Sequence, residues 1–273
     1  MVPTQVWSVY WSATGNTRQT AEVIGGALAQ ALGCPWKALD FTLPAARTGP
    51  LSFQPGDVVV FAMPTYAGKL PNKLLPYVQE QTAGNGALAV PVVTFGNRSF
   101  DNSLAELRAV LTQNGFHPVA AGAFVGRHAF TDELAPGRPS QADQEEMRAF
   151  ARQVADKVTQ AQQTPPPPPV PGDSDAPYYI PKGVDGAPAK FLKAKPQTDP
   201  AKCTNCGACA QSCPMGAIDP ENVAETPGTC IKCQRCIRLC PTGAKYFDDP
   251  AFLSHVEMLR QNFTPRKENQ TFL

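Results

Sequence analysis

The chain has 273 residues, and its 24 lysine and arginine residues nearly balance 23 aspartate and glutamate residues. This balance gives no overall electrostatic reason to expect nucleic acid as the main ligand. The length allows one large or two modest domains. No stretch approaches the roughly 18 uninterrupted apolar residues of a membrane helix, and the first residues lack the pattern of a secretion signal, so we expect a cytoplasmic protein.

The first 163 residues alternate apolar runs with segments of helical periodicity. The predicted strands lie at residues 6–11, 57–64, 87–96 and 118–126, and the predicted helices at 18–33, 101–115 and 141–160. Gly33 and Pro35 should end the first helix, and Asp101 is the expected N-cap of the second. Alternation of this kind predicts an α/β domain with a doubly wound parallel sheet, whose ligand lies beyond the carboxyl ends of the strands.

A proline run, TPPPPPVPG at residues 164–172, separates this domain from the rest of the chain. Proline cannot continue a helix or join a central strand, so the run predicts an extended spacer. We expect residues 164–195 to be a Pro-rich linker with a lead-in segment that packs on the first domain. Residues 196–273 should form a second, smaller domain with a C-terminal tail.

Eight of the nine cysteines lie in two copies of the pattern C-x2-C-x2-C-x3-C-P. Without a secretion signal, such spacing indicates metal binding rather than disulfides. In double motifs of this kind the fourth cysteine of each copy ligates the other cluster. The predicted ligands of two 4Fe–4S clusters are Cys203, Cys206, Cys209 and Cys240 for the first, and Cys213, Cys230, Cys233 and Cys236 for the second.

The alternative for these cysteines is a pair of zinc sites, because C-x2-C also binds zinc. Zinc motifs do not ordinarily repeat the full pattern, so iron–sulfur clusters are favoured. Residues 203–247 resemble a bacterial dicluster ferredoxin at all eight ligand positions and at Pro214 and Pro241. The ninth cysteine, Cys34, stands alone and is expected to be a small buried thiol.

The turn SATGNT follows the first predicted strand and carries Ser12, Thr14, Gly15, Asn16 and Thr17. Its hydroxyls and the backbone N–H groups that enter the next helix can surround a phosphate. The turn lacks both the lysine of nucleoside triphosphate loops and the glycines of the dinucleotide fingerprint. This favours one phosphate monoester, such as that of flavin mononucleotide (FMN), over the alternative that Ser12 or Thr14 merely caps a helix.

Through SATGNT and the order of its elements, the region 1–163 resembles the flavodoxin family, which implies a five-stranded sheet, bound FMN and two loops around the flavin ring. The further cofactor-binding residues implied are Pro64, Thr65, Tyr66, Ala67 and Gly68 in one loop, and Thr94, Phe95, Gly96, Asn97, Arg98 and Phe100 in the other. Tyr66 and Phe100 are expected to stack on the ring, although either could be a core aromatic residue.

Three basic side chains near these loops raise further hypotheses. Many flavodoxins surround the flavin with carboxylates, whereas this chain has Lys69 and Arg98 there. Such cations could stabilise the reduced, anionic flavin or attract an anionic partner, or they could be solvated surface charges. His128, which follows Arg127 in a loop at the same sheet edge, could donate a hydrogen bond near the flavin or could be structural.

As a whole, the chain resembles flavodoxin–ferredoxin fusions of the EFR1-family ferredoxin kind. The resemblance implies electron transfer among FMN, two 4Fe–4S clusters and redox partner proteins, such as ferredoxin- or flavodoxin-dependent oxidoreductases in an anaerobic setting. The alternative is an FMN-dependent reductase of a quinone, a nitro compound or a ferric chelate, which a pocket lined by Arg98, His128 and the lead-in segment would indicate. The sequence contains no strong catalytic constellation, so the carrier is favoured.

Overall fold

A computed structural model describes residues 2–273. The strands are β1 (Gln5–Tyr10), β2 (Trp36–Asp40), β3 (Leu51–Ser52), β4 (Asp57–Pro64), β5 (Thr82–Ala83), β6 (Leu88–Phe95), β7 (His117–Pro118), β8 (Ala121–Val125), β9 (Gln197–Thr198), β10 (Lys245–Tyr246) and β11 (Gln270–Phe272). The helices are α1 (Asn16–Leu32), α2 (Leu75–Glu80), α3 (Ser103–Gln113), α4 (Gln141–Gln160), α5 (Ala208–Gln211), α6 (Arg235–Leu239) and α7 (Pro250–Asn262).

Five parallel strands form the centre of the main sheet, in the order β2-β1-β4-β6-β8. Counted among themselves they run 2-1-3-4-5, which is the order of flavodoxin-like doubly wound sheets. β4 and β6 are buried almost throughout, as expected for apolar strands covered on both faces. The predicted α/β fold with five parallel strands is confirmed.

Helices cover both faces of this sheet. On one face α1 and α4 pack together over a core that includes Ile24, Leu28 and Phe150. On the other face α3 contributes Leu104 and Leu107 to a second core. The SATGNT loop therefore emerges at the carboxyl edge of a sheet that is held from both sides.

The ends of two helices test the capping predictions. Gly33 follows α1 with φ of 66° and its backbone N–H bonds back to the last turn, so the predicted glycine stop is confirmed. The prediction that Asp101 caps α3 is wrong, because Asn102 holds that position. The Asp101 carboxylate is instead paired with Arg98.

The C-terminal tail adds a further strand to the main sheet that the sequence did not predict. β11 pairs antiparallel with β8 and so covers the outer edge of the parallel sheet. Just before β11, Asn269 accepts a hydrogen bond from the backbone N–H of Val125 at 2.9 Å. It also donates to the buried carboxylate of Asp143 at 3.0 Å. The tail is thus fixed to the first domain.

Residues 164–195 run across the first domain in contact with it. The Arg108 guanidinium donates to the carbonyl of Pro168 at 3.0 Å. The Tyr178 hydroxyl donates to the carbonyl of Leu70 at 2.8 Å. This segment therefore lies over the loop that follows β4.

The cysteine-rich lobe is small and has little regular structure. It contains the short helices α5 and α6 and the antiparallel pair β9 and β10. Its elements contact the carboxyl edge of the main sheet, where Arg47 of the first domain donates to the carbonyl of Pro214 at 2.6 Å. The lobe therefore sits on the edge where the sequence predicts the cofactor.

Candidate functional site

The eight clustered cysteines line two separate cavities. One cavity is lined by Cys213, Cys230, Cys233 and Cys236, and the other by Cys203, Cys206, Cys209 and Cys240. Across residues 2–273, no three Cys, His, Asp or Glu side chains are placed to hold a single metal ion. Four thiols around a cavity are the donor set of a 4Fe–4S cluster, and each cavity combines three cysteines of one copy with the fourth of the other, as the sequence predicts.

The two cysteine copies share the same backbone geometry. Between the first and second cysteines, Asn205 and Lys232 have positive φ of 54° and 57°. After the second cysteine, Gly207 and Gln234 have φ of 74° and 66°. Left-handed backbone is uncommon for lysine and glutamine, so the second copy adopts the loop shape at a conformational cost. The repeat in sequence is therefore a repeat in structure.

The sequences CPMGA and CPTGA also fold alike after the fourth cysteines. The backbone N–H of Ala217 donates to Cys213 Sγ at 3.3 Å, and that of Ala244 donates to Cys240 Sγ at 3.2 Å. Gly216 turns the chain with φ of 57° in the first copy. Hydrogen bonds to cluster sulfurs are among the factors that set reduction potentials, so both loops fit cluster ligation.

The two cysteine sets differ in burial. Burial raises the pKa of the Cys233 and Cys236 thiols to about 12. For Cys240, burial is outweighed by hydrogen bonds from Thr242 and backbone amides, which lower the pKa to about 7. Thiolates are the metal-binding form, and burial also raises the pKa of Cys209 in the first set, so ionisation of the buried thiols in both sets would be coupled to metal binding.

The cavity of the second set lies against the first domain. Cys233 is buried within the core of that domain, and Tyr66 packs against the same core. Burial raises the pKa of Tyr66 well above its ordinary value, and the nearby Cys233 and Cys230 thiols raise it further. The aromatic residue predicted to stack on a flavin therefore adjoins the second cysteine set.

Two arginines of α6 attach this cavity to the first domain. The Arg235 guanidinium donates to the carbonyls of Ser12 and Ala13 at 3.2 and 2.8 Å. The Arg238 guanidinium donates to the carbonyls of His128 and Ala129, both at 2.9 Å. Neither arginine is among the site residues predicted from the sequence, although both lie inside the second cysteine motif.

The SATGNT loop has an ordered internal network. Ser12 Oγ accepts the backbone N–H of Arg18 at 3.0 Å, and the Thr17 and Thr94 hydroxyls are 2.7 Å apart. The Asn16 side chain donates to the carbonyl of Arg127 at 2.8 Å. These contacts join the loop to the end of β6 and to the loop after β8, so predicted cofactor residues from two loops do meet.

The loop after β4 turns sharply around two of its predicted residues. Ala67 and Gly68 have φ of 49° and 78°, and a side chain on Gly68 would collide with Asp101. The Ala67 carbonyl accepts the backbone N–H of Tyr179 at 2.8 Å. The Thr65 hydroxyl lies 2.7 Å from that of Ser103, and Pro64 ends β4. This loop is thus covered by the lead-in segment.

The loop after β6 is covered by the tail. The Asn97 side chain donates to the carbonyls of Phe263 and Pro265 at 2.6 and 3.1 Å. Phe100 is buried, with its ring centre 5.4 Å from that of Phe95. Phe100 therefore packs as a core aromatic residue. Gly96 lies so close to His128 that a side chain there would collide with the imidazole.

Lys69 and Arg98 are not solvated surface cations. Lys69 is buried, and its ammonium lies 3.0 Å from the buried Glu106 carboxylate. The Arg98 guanidinium pairs with Asp101 and lies 4.1 Å from the centre of the Tyr179 ring. That alternative is therefore wrong, because carboxylates at and just before the start of α3 neutralise both charges.

His128 is an enclosed, neutral imidazole. Burial lowers its pKa to about 4, with smaller contributions from His255, Arg238 and Arg98. Its Nδ1 accepts the backbone N–H of Phe130 at 3.1 Å, so the ring proton is on Nε2. His128 thus packs next to Gly96 while holding its own loop.

The residues at the carboxyl edge fit a phosphate group. Gly15, with φ of 98°, is the N-cap of the 17-residue helix α1 and has no side chain to cap it, although Ser12 Oγ accepts the backbone N–H of Arg18 in the first turn. Within residues 2–273 the buried indole N–H of the neighbouring Trp11 also has no hydrogen-bond partner. Backbone N–H groups at such a helix start bind phosphates. A cofactor bound here would be enclosed by the chain's own lead-in, tail and cysteine lobe.

The fold and the two cavities define a protein that combines a flavodoxin-like α/β domain with a dicluster iron–sulfur domain. The family model described as a 4Fe-4S dicluster domain matches residues 202–244, which include all eight clustered cysteines. The chain therefore joins a domain with the flavodoxin-like strand order to a region similar to 4Fe-4S dicluster domains, the combination that the sequence predicts. No curated protein shows a significant match.

Several solved flavodoxin structures are similar to part of the chain. A flavodoxin from the domain Archaea is 14% identical over 57% of this chain and 100% of its own, with a TM-score of 0.43. The Streptococcus pneumoniae TIGR4 flavodoxin is 20% identical over 57% and 100%, with a TM-score of 0.38. Oxidised flavodoxin 2 from Bacillus cereus is 14% identical over 56% and 99%, with a TM-score of 0.40. The strand order, and not these similarities, defines the fold.

Cys34 lies apart from both cavities. Its thiol donates to the carbonyl of Pro3 at 3.1 Å, and the residue is half-buried. It is therefore a locally bonded thiol.

Among residues 2–273 no helix is long and apolar enough to cross a membrane.

Proposed function

We propose that this protein transfers electrons between FMN, bound at the SATGNT loop, and two 4Fe–4S clusters, and from there to redox partner proteins. The observation that carries the proposal is the position of the second cysteine cavity, beside Tyr66 and bonded through Arg235 to the SATGNT loop. When bound, FMN exchanges two electrons and the clusters exchange one each, so the three groups together connect two-electron and one-electron partners. The chain supplies the sites and their spacing.

The proposed phosphate site uses the hydroxyls of Ser12, Thr14 and Thr17 and the backbone of Gly15 and Asn16. Their placement at the start of α1 favours a dianion. The proposed cluster ligands are the two sets of cysteines that line the cavities. The chain thus provides a proposed site for each of the three centres.

The exposure of the cysteines indicates the order of the proposed centres from solvent to the interior. Cys206, of the first set, is exposed, whereas Cys233, of the second set, is buried against the first domain. A partner protein therefore reaches the first cluster site from solvent, and the second lies between it and the SATGNT loop. We propose that redox proteins dock over the first set, and that they do so in the cytoplasm.

The carrier is favoured over a reductase with its own small substrate. A reductase would be indicated by a substrate pocket lined by Arg98, His128 and the lead-in segment. Arg98 instead contacts Asp101 and Tyr179, and His128 packs edge-on against Phe130. Both side chains therefore pack against neighbouring protein groups, which favours the electron carrier.

The test is to purify the protein without oxygen and to assay iron, sulfide and FMN. Stepwise reduction then follows, with visible and electron spin resonance spectra recorded. We expect about eight irons and one FMN per chain, since two cube clusters contain four irons each. Zinc in place of iron would contradict the cluster sites, and protein that lacks flavin and does not bind added FMN would contradict the SATGNT site.

A further inference from the structure

One cationic side chain lies between the second cysteine set and the SATGNT loop. Arg235 follows Cys233 by two residues and directly precedes Cys236. Its Nη1 donates to the carbonyls of Ser12 and Ala13. Within the described chain its Nε is buried and has no hydrogen-bond partner. The guanidinium is therefore held through Nη1, while its buried Nε remains without a partner.

Comparison of the two cysteine copies shows that this cation belongs to one copy alone. When the copies are aligned on their cysteines, Arg235 corresponds to Ala208, and Arg238 corresponds to Gln211. Both copies have positive φ at the same two aligned positions, and each continues into a short helix. The loop shape needed around a cluster therefore does not require arginine at this position, since the first copy achieves it with alanine.

We infer that Arg235 is a positioning residue that holds the second cysteine set on the SATGNT loop and raises the reduction potential of the cluster bound there. The inference rests on the proposed cluster sites. Reduction adds one electron to a cluster and makes it more negative, and a nearby fixed cation favours the more negative form. Because the guanidinium is half-buried, its charge is screened less than that of a solvated side chain.

The second arginine of α6 provides a comparison. Arg238 docks the same helix but donates to the loop at residues 128–132. It therefore provides a matched control for the loss of a docking arginine.

The experiment is a redox titration of the anaerobic, iron-loaded full chain with dithionite as electron donor, followed by electron spin resonance. Wild type is compared with R235Q, R235K and R238Q, and iron content is measured in each. In R235Q we expect the midpoint of one cluster to fall by about 59 mV or more, which is a tenfold change in a one-electron equilibrium. The other cluster should be unchanged, as should both clusters in R238Q.

The R235K variant retains the positive charge but loses the forked guanidinium with which arginine donates hydrogen bonds. Its midpoint should stay near that of wild type, whereas hydrogen exchange of the backbone at residues 12–17 should increase in both Arg235 variants. Unmoved midpoints in iron-loaded R235Q, or equal shifts of both clusters, would overturn the electrostatic role. Unchanged exchange at residues 12–17 would overturn the positioning role. Wild type that binds no iron would instead contradict the proposed function itself.

Discussion

Substitution of Asp143 by asparagine should strongly destabilise the protein and release its C-terminal tail. Both Asp143 and its partner Arg138 are buried. The Arg138 Nε donates to the two carboxylate oxygens at 3.2 and 3.0 Å. The same carboxylate accepts the backbone N–H of Ser140 at 2.7 Å and the Asn269 amide at 3.0 Å. One charged group therefore joins the start of α4 to the segment that leads into β11.

The expected magnitude follows from this burial. Removing one partner of a buried ion pair costs about 3–5 kcal/mol, because the remaining charge is left uncompensated. For a chain of this size, each kcal/mol lowers the thermal midpoint by about 2–4 °C. Asp143→Asn should therefore lower the midpoint by roughly 6–20 °C.

The assay is thermal unfolding followed by circular dichroism, with hydrogen exchange of Gln270, Thr271 and Phe272. Those amides should exchange faster in Asp143→Asn because β11 loses its anchor. Glu146→Gln is the control: Glu146 also accepts from Asn269, but it is exposed. Its loss should cost less than about 1 kcal/mol. A midpoint shift below about 3 °C in Asp143→Asn would refute the reasoning.

Three further predictions follow from the same contacts. The hydrogen bonds to Asp143 hold its pKa well below the ordinary range despite burial, so its stabilisation is present above about pH 4 and lost as the solution becomes more acidic. The difference in thermal midpoint between wild type and Asp143→Asn should therefore shrink below about pH 4. Cys206→Ser should lower the iron content by about half, whereas Cys34→Ser should retain all of it, and full iron in the former would contradict the first ligand set. Lys69→Glu should destabilise the folded protein by about 3–5 kcal/mol, because it leaves the buried carboxylate of Glu106 without its cation. The double variant Lys69→Glu with Glu106→Lys should recover part of the lost thermal midpoint.

Sequence predicted the strands well where both faces are buried. The run at 57–64 matches β4 in both bounds, because Val58, Val59 and Val60 are all enclosed between the helical layers. The edge strand β2 was not among the predicted runs. Its sequence WKALD is mostly exposed, so burial imposes no apolar pattern on it. A solvated edge strand has no comparable signal in a single sequence.

The contacts of the tail could not be predicted from local pattern. β11 has three residues, too few to show strand periodicity, and its anchor joins Asn269 to Asp143, which lies far away in the chain. Lys69 presents the same difficulty, since its partner Glu106 lies on a different element. Sequence placed Lys69 in the loop after the strand at 57–64, but the charge that neutralises it depends on tertiary structure.

The cysteine pattern was more informative because spacing and chemistry restrict each other. Once the fourth cysteine of each copy crosses to the other set, the two cavities must be neighbours, and each must combine both copies. The structure agrees with that requirement. What the pattern did not indicate was which cavity faces the first domain, since the eight cysteines are equivalent in both copies.

The residues between the cysteines carry that missing information. At the positions of Ala208 and Gln211 in the first copy, the second copy has Arg235 and Arg238. Both arginines donate to backbone carbonyls of the first domain. Two copies that bind the same kind of ligand share the groups that hold it, so the positions at which they differ reflect their different surroundings. The two arginines therefore mark the second copy as the one that contacts the carbonyl-rich loops at the carboxyl edge of the sheet.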